Sequence, residues 1–502
     1  MFHPRTNTNE HEPKTLWFVF VRVGSWMKHF SPSHLVTLSA FSLRFCPAAL
    51  IGWRVMKKLV VLVVLIVGLV GYLVWTWDGT TPAVTWNVPG QIGKKGRIEA
   101  VVQDPGRGLR SVQVSIKQGS VEKVIFEKQY AEIRWPWQKG QARERLAFAM
   151  EELLKKPGLK QGPVQFQITA VDQPNLFFFD RKTVSTNTLQ FDSRPPQLAV
   201  LSQQHYIRQG GSEGILYRVS ADAKQSGVRV GDNVFVGYPV PGAAPDTRIC
   251  IFALSYDQPE DTPMFLFAED QAGNRAQTNF WKKVFGSAFR KREMPVTDAF
   301  MQAVVPEILG NTEEVTEQPT LLESYLEINR KLRQLNNAQI TKLGRESAPQ
   351  RLWSKPFLQL TNSQVEAVFA DQRTYFYNGK QIDRQTHLGF DLATSAQNPV
   401  EASNDGVVVY ADYLGIYGNC VIVDHGLGLQ SLYGHLSSID VEKGQKVTVG
   451  QTLGRTGQTG LAGGDHLHFS MTLQGIQVNP VEWWDAKWVE LHVVAKLTGK
   501  TS

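Results

Sequence analysis

His387-Leu-Gly-Phe-Asp391 and His466-Leu-His468-Phe-Ser470, with Tyr433-Gly-His435-Leu436 between them, decide how the C-terminal part of this 502-residue chain folds. Side chains of a strand alternate between its faces. His387, Gly389 and Asp391 therefore point one way and Leu388, Phe390 and Leu392 the other. In the second stretch His466, His468, Ser470 and Thr472 share a face opposite Leu467, Phe469, Met471 and Leu473. A helix would throw residues two apart to nearly opposite sides. Two strands whose polar rows face one cleft are the expectation.

The side chains in those rows suit a metal. A catalytic zinc takes three protein ligands, often His and a carboxylate, and keeps a fourth position for water. Two His and one Asp meet that need. The segments hold four His and one Asp, more than a three-ligand zinc plus a single base requires. Surplus histidines near such a metal can take a proton from the water, donate to a leaving amine, or hydrogen-bond an oxyanion. No His-Glu-x-x-His occurs, and His11-Glu12 runs into Pro13, which excludes the helical zinc-protease plan. Of 11 His, only His205 lies between positions 56 and 386, so the concentration is local to these motifs. His425, ahead of Gly426 in an expected turn, is read as structural.

Over residues 353–484 the sequence resembles the lysostaphin-type (LytM-type) zinc metallopeptidases, which cut peptide cross-links in peptidoglycan. The resemblance runs in order through His387-x-Gly-x-Asp391, Gly406-Val-Val, Tyr417-Gly-Asn, His425-Gly, Tyr433-Gly-His-Leu, Gly444, Gly450-Gln, Gly454, Gly457-x-x-Gly460, His466-Leu-His-Phe and Asn479-Pro. It implies that His387, Asp391 and His468 bind Zn2+, that His435 and His466 are the catalytic pair, and that a small antiparallel β fold holds a groove for an extended peptide. Gly463-Gly464-Asp465 departs from the small residue, Gly and Pro common in relatives and bears on loop shape only. Family members also use a tyrosine upstream of the first ligand, for which Tyr375 and Tyr377 are the candidates.

Charge and hydropathy frame the rest of the chain. The formal +7 is concentrated at the N-terminus, where residues 1–58 hold eight Lys/Arg and two Asp/Glu, leaving 45 basic and 44 acidic residues elsewhere. That balance gives nucleic-acid binding no support. Residues 59–75 form an almost unbroken apolar run behind Lys57-Lys58, with Trp75 and Trp77 at its far end. About 17–20 residues cross a bilayer core, with flanking lysines cytoplasmic and interfacial Trp beyond. Trp-Thr-Trp-Asp is a poor cleavage site, which favours an uncleaved anchor over a signal peptide. Residues 1–55 have no clear period or caps, and Met56-Lys57-Lys58 has the form of an exported protein's start.

Cys46, Cys250 and Cys420 are too few for a disulfide framework and are read as free thiols, the last two buried. Two intervening segments resemble each other: Asp78-x-x-x-Pro82 and Asp192-x-x-x-Pro196 open them, and Phe166-Gln-Ile-Thr-Ala-Val-Asp172 and Phe265-Leu-Phe-Ala-Glu-Asp270 stand near their ends. Strands spaced by turns over about 100 residues suggest sandwiches resembling bacterial immunoglobulin-like modules. The first carries a helix-period stripe, Leu146, Ala149, Met150, Leu153 and Leu154. Helices are expected from an N-cap at Thr297 and over residues 321–335. Their apolar stripes suit lying against another domain and restricting the groove.

The expected organisation is a mainly β multidomain chain. It comprises an upstream extension or disordered segment (1–55), a transmembrane anchor (56–77), two immunoglobulin-like β-sandwich modules (78–191 and 192–292), a helical linker (293–349), the antiparallel β peptidase domain (350–486) and a C-terminal tail (487–502). The domain of residues 350–486 is expected to fold on its own. The expected function is a single-pass, inner-membrane zinc endopeptidase with its catalytic domain in the periplasm, acting on peptidoglycan stem peptides. The alternative is a non-catalytic wall-binding activator of other hydrolases. Protein partners would dock on the immunoglobulin-like modules, and no nucleic acid is expected.

Overall fold

The computed structural model describes residues 47–75, 79–133, 135, 138–155, 158–174 and 181–498. Residues 1–46, and with them Cys46, lie outside it. The chain divides into two units, residues 1–77 and 78–502. The first holds a single described helix, Pro47–Trp75. Its stretch Val55–Val74 is long and apolar enough to cross a bilayer, and none of those side chains is buried. The helix passes unbroken through Met56 back to Pro47, so residues 47–55, assigned above to an upstream extension, are helical.

The second unit is mainly β. Its first part makes two sheets, one of Ala83–Asn87, Arg97–Gln103 and Arg143–Ala149, the other of five strands centred on Gly162–Asp172. Gly162–Asp172 has a strict two-residue period: Val164, Phe166, Ile168 and Ala170 are fully buried while their neighbours are not. They share clusters with Ile98, Ala100 and Val102 of the facing sheet. The helix expected here is shorter than its stripe. Leu146 and Ala149 belong to the strand Arg143–Ala149, pairing with Ala100 and Arg97, and only Met150–Lys155 is helical. Sheet pairing has overridden a local 3.6-residue pattern.

A second pair of four-stranded sheets spans residues 198–278 around Ile215, Tyr217, Val228, Ile249 and Leu266. Cys250 is a buried free thiol there and Cys420 another further on; burial pushes Cys250 up to about 12. This part is bolted to the C-terminus. Lys496 Nζ donates to Glu213 Oε1 at 2.6 Å, His492 Nδ1 to Glu213 Oε2 at 2.8 Å, and Ser212 N to Glu482 Oε2 at 2.7 Å. Gly211 permits that approach, since a Cβ there would sit 2.2 Å from Glu482 Oε1.

Burial, with the nearby charge of Glu213, pushes the Glu482 carboxyl up to about 8. An unfolded glutamate titrates near about 4.3. Between those values the folded chain keeps a proton that the unfolded chain has lost, so stability falls as pH rises through the window. Thermal melts should show this fall, and Glu482→Gln should flatten it. An equally steep profile in the variant would reject the assignment.

Residues 298–310 and 321–344 are helical. Thr297 Oγ1 accepts from Phe300 N at 3.2 Å and caps Asp298–Gly310, while Thr320 and Glu323 form a capping box on Leu321–Glu327. A π-turn, Ile328–Leu332, leads into Arg333–Gly344. Their apolar faces, with Met301, Val304, Ile308, Tyr325, Ile328 and Leu332, share one core with Tyr375, Ile416, Tyr417, Cys420, Ile422 and Leu432. The strand Lys291–Pro295 extends this attachment by pairing in parallel with Asp371–Tyr377.

The C-terminal β part is built on a large antiparallel sheet that includes Phe390–Ala393, Leu467–Leu473, Leu429–Leu436, Asn419–Gly426 and Gly406–Tyr413, in that order. Lys291–Pro295, Asp371–Tyr377 and Lys380–His387 form a separate three-stranded sheet. Leu467–Leu473 alternates as its sequence predicts. Leu467, Phe469, Met471 and Leu473 enter the core, and His468 pairs with Asp391 on one side and Gly434 on the other.

Candidate metal centre

His387 and Asp391 do not sit on one strand, as the alternation predicted. Lys380–His387 ends at His387, and the chain crosses through Leu388 and Gly389 into Phe390–Ala393 of the other sheet. Gly389 makes the crossing possible: a Cβ there would lie 2.6 Å from both His468 Nε2 and Ser470 Oγ. The switch still brings His387, Asp391 and His468 together.

His387 Nε2 lies 2.9 Å from Asp391 Oδ1 and 3.1 Å from His468 Nδ1, which is itself 2.9 Å from Asp391 Oδ1. The outer hydrogen bonds fix the tautomers. His387 Nδ1 donates to Val368 O at 3.0 Å, leaving a lone pair on Nε2. Ser470 Oγ donates to Leu388 O at 2.8 Å, so it accepts from His468 Nε2 at 3.0 Å and leaves the lone pair of His468 on Nδ1. Two imidazole lone pairs and a carboxylate oxygen thus converge with no proton between them. Such an arrangement repels itself unless a cation sits among the three, and this N,N,O set suits zinc.

Asp391 is partly buried, which opposes its charge, yet His387 first and the other imidazoles after it hold the carboxyl well below the usual range. Its second oxygen, Oδ2, accepts from Arg373 NH2 at 2.9 Å. Arg373 was not foreseen from the sequence. It lies one strand away on Asp371–Tyr377, and its partner becomes apparent only once that strand pairs beside His387.

His435 and His466 lie beside the triad with ring centres 4.8 Å apart. His435 Nδ1 donates to Thr459 O and His466 Nδ1 to Gly464 O, both at 2.8 Å, which leaves each Nε2 able to accept a proton. His466 Nε2 is 3.6 Å from Asp391 Oδ1. Burial, followed by the neighbouring imidazoles of His466 and His468, holds His435 well below its ordinary pKa. For His466 burial acts in the same direction, but the hydrogen bond and charge of Asp391 outweigh it and raise the value. His435 has φ +62°, a left-handed backbone that is uncommon outside glycine and often found at functional sites. In the departing loop, Asp465 Oδ2 accepts from Gln397 N at 3.1 Å.

The other candidates separate cleanly. Tyr375 lines the cavity beside the triad, whereas Tyr377 donates its hydroxyl to Asp298 at the surface. His425 is fully buried between Asp405 O and Ser431 Oγ, as a structural residue should be. The cavity measures about 380 Å³. One wall carries His387, Asp391, His435, His466 and His468, and the helical region supplies another through Phe300, Tyr325, Arg333 and Asn337.

Residues 385–480 match Peptidase family M23. DD-carboxypeptidase/endopeptidase Mpg of Neisseria meningitidis serogroup B is 41% identical over 95 residues, 19% of this chain and 22% of that protein. Murein hydrolase activator EnvC of Escherichia coli K12 is 40% identical over 106 residues, 21% of this chain and 25% of that protein. A peptidase M23 structure from Pseudomonas aeruginosa is similar at 20% identity with a TM-score of 0.35, covering 55% of this chain and 94% of that one. The chain thus spans about a quarter or less of the length of these two curated relatives. Residues 385–480 are a peptidase family M23 domain at the C-terminal end of the chain.

Proposed function

We propose that this chain is a membrane-anchored zinc endopeptidase that hydrolyses peptide cross-links of peptidoglycan. The observation that carries the reading is the convergence of His387 Nε2, His468 Nδ1 and Asp391 Oδ1 with their lone pairs bare, beside two further histidines. These three side chains would hold the metal. When bound, zinc supplies a Lewis acid for the scissile carbonyl and lowers the pKa of a coordinated water to about 7. Arg373 fixes Asp391 by Oδ2 and leaves Oδ1 turned toward the histidines. Nε2 of His435 or His466 takes the proton of the attacking water and passes it to the leaving amine. The other ring, protonated, donates to the oxyanion.

The apolar helix Val55–Val74, with Lys57 and Lys58 at its start, supports an inner-membrane anchor with the domain in the periplasm. There the substrate would be a direct D,D cross-link, in keeping with the names of the endopeptidase relatives. The two β parts before the helices are read as immunoglobulin-like modules open to protein partners. The activator reading draws on the EnvC likeness, but the full ligand and base set favours catalysis.

The test is His435→Asn and His466→Ala. Asn tolerates the left-handed backbone at 435. Both variants should keep zinc and fold while losing about 10²–10⁴-fold in turnover on cross-linked muropeptides. Turnover near the wild-type rate in both would remove the assigned roles.

A further inference from the structure

The cavity beside the triad has more hydrogen-bond donors than its own acceptors satisfy. Tyr325 lines it, is fully buried, and its hydroxyl has no hydrogen-bond partner. Arg373 lines it too. One nitrogen serves Asp391, but its buried Nε has no acceptor. Arg333 is the third. Its Nε donates to Asn329 O at 3.1 Å and its NH2 to Asn329 Oδ1 at 2.7 Å. Asn329 is fully buried and is itself oriented by a 2.8 Å bond from its Nδ2 to Asp383 Oδ2. Among the described residues, Arg333 takes part in no ion pair, while its neighbours do: Arg330 with Asp383, Lys331 with Glu327, Arg290 with Asp371 and Arg373 with Asp391.

Arg333 is therefore aimed and held before any acid reaches it. The π-turn Ile328–Leu332 places Asn329 one turn behind it. Buried donors without acceptors are costly, and a protein keeps them where a ligand completes the set. Two guanidinium groups and a hydroxyl ask for an anion with more than one oxygen. Glu366 also lines the cavity, but among the described residues its exposed carboxylate forms no ion pair with Arg333 or Arg373. Asp391 offers Oδ2 to Arg373 and turns Oδ1 to the histidines. A carboxylate carried by the substrate would supply the missing acceptor.

We propose that Tyr325, Arg333 and Arg373 form a subsite for a free carboxylate on the substrate residue next to the bond that is cut. This rests on the endopeptidase reading and adds a substrate requirement to it. The Arg373–Asp391 bond links the subsite directly to the triad. A peptide whose carbonyl lies at the triad would have a neighbouring carboxylate within reach of Arg373. The helical region thereby supplies two of the three recognition groups, although it lies outside residues 385–480.

The experiment uses the full zinc-loaded chain in detergent. Its probes are diacetyl-L-lysyl-D-alanyl-D-alanine, the C-terminal amide of that peptide, and the methylene-amine isostere of each. Calorimetry should give the acid isostere at least about tenfold tighter binding than the amide, as expected for a charge-assisted pair that is lost. Where the acid peptide is cut, the same preference should appear in KM rather than kcat. Arg333→Gln and Tyr325→Phe should each bring the acid-to-amide ratio toward one. Tyr325→Phe should do so with thermal stability unchanged or raised, because it deletes a hydroxyl that bonds nothing. A purely structural tyrosine would leave the ratio intact. Equal binding of acid and amide, or a preference untouched by both variants, overturns the subsite whether or not either peptide is cut. A preference for the acid isostere together with failure to cut cross-linked muropeptides sinks the endopeptidase reading instead and leaves the subsite standing.

Discussion

Asp391→Ala and His468→Ala should each lose bound zinc and hydrolytic activity together. Each removes one of three converging donors, and two remaining ligands make a weak, misshapen site. The two variants differ in what else they disturb. Loss of Asp391 strands Arg373, whose side chain is largely buried and paired at 2.9 Å, and breaking such a pair costs about 3–5 kcal/mol. Loss of His468 frees Ser470 Oγ and removes an edge contact with Tyr417 at 5.3 Å but leaves no charge unpaired. Asp391→Ala should therefore melt lower than His468→Ala, while both fail to hold metal. Metal content per chain, measured beside a thermal melt, separates the two effects. Full zinc occupancy in either variant would refute the ligand assignment.

What the sequence disclosed was local. Alternation in Leu467–Leu473 is a property of neighbouring residues, so the face carrying His468 and Ser470 could be read directly. The break after His387 could not be read in this way. The same alternation continues through Leu388 and Gly389, and only the Cβ-free approach of Gly389 to His468 explains why the chain changes sheet there. The partners of the triad were further from view. Arg373 reaches Asp391 through strand pairing across 18 positions, and Tyr325 and Arg333 come from helices whose apolar stripes carried no mark of a cavity. The Thr297 cap was legible because caps are short-range. The same limit explains the overlong helix in the first β part, where Leu146 was claimed by a strand partner 46 residues earlier, Ala100.

A fragment of residues 350–502 should fail to fold cooperatively, against the independence that its motif content suggests. The apolar face it would expose includes Ile416, Tyr417, Cys420, Ile422 and Leu432, all at most 5% accessible in the intact chain. Their cover is Val304, Ile308, Tyr325, Ile328, Leu332 and Ile340 from the helices. Burial of one such side chain is worth about 1.5–3 kcal/mol, so uncovering several exceeds the whole stability of about 5–15 kcal/mol typical of a domain. Polar ties go as well. Glu307 accepts from Gly460 N in the loop that holds His435 through Thr459 O, Asn336 Oδ1 accepts from Ile416 N, and Gln430 Nε2 donates to Leu343 O. The parallel strand Lys291–Pro295 would leave an edge of Asp371–Tyr377 open beside the site. A fragment starting at residue 192 keeps all of these, together with the Glu213–Lys496 pair, and should be soluble with one sharp melting transition. Melting curves and peptide hydrolysis by the two fragments decide the matter. If residues 350–502 melt cooperatively and cut faster than residues 192–502, the helices act as a removable cover on the groove; if that fragment aggregates while the longer one cuts, they are part of the enzyme.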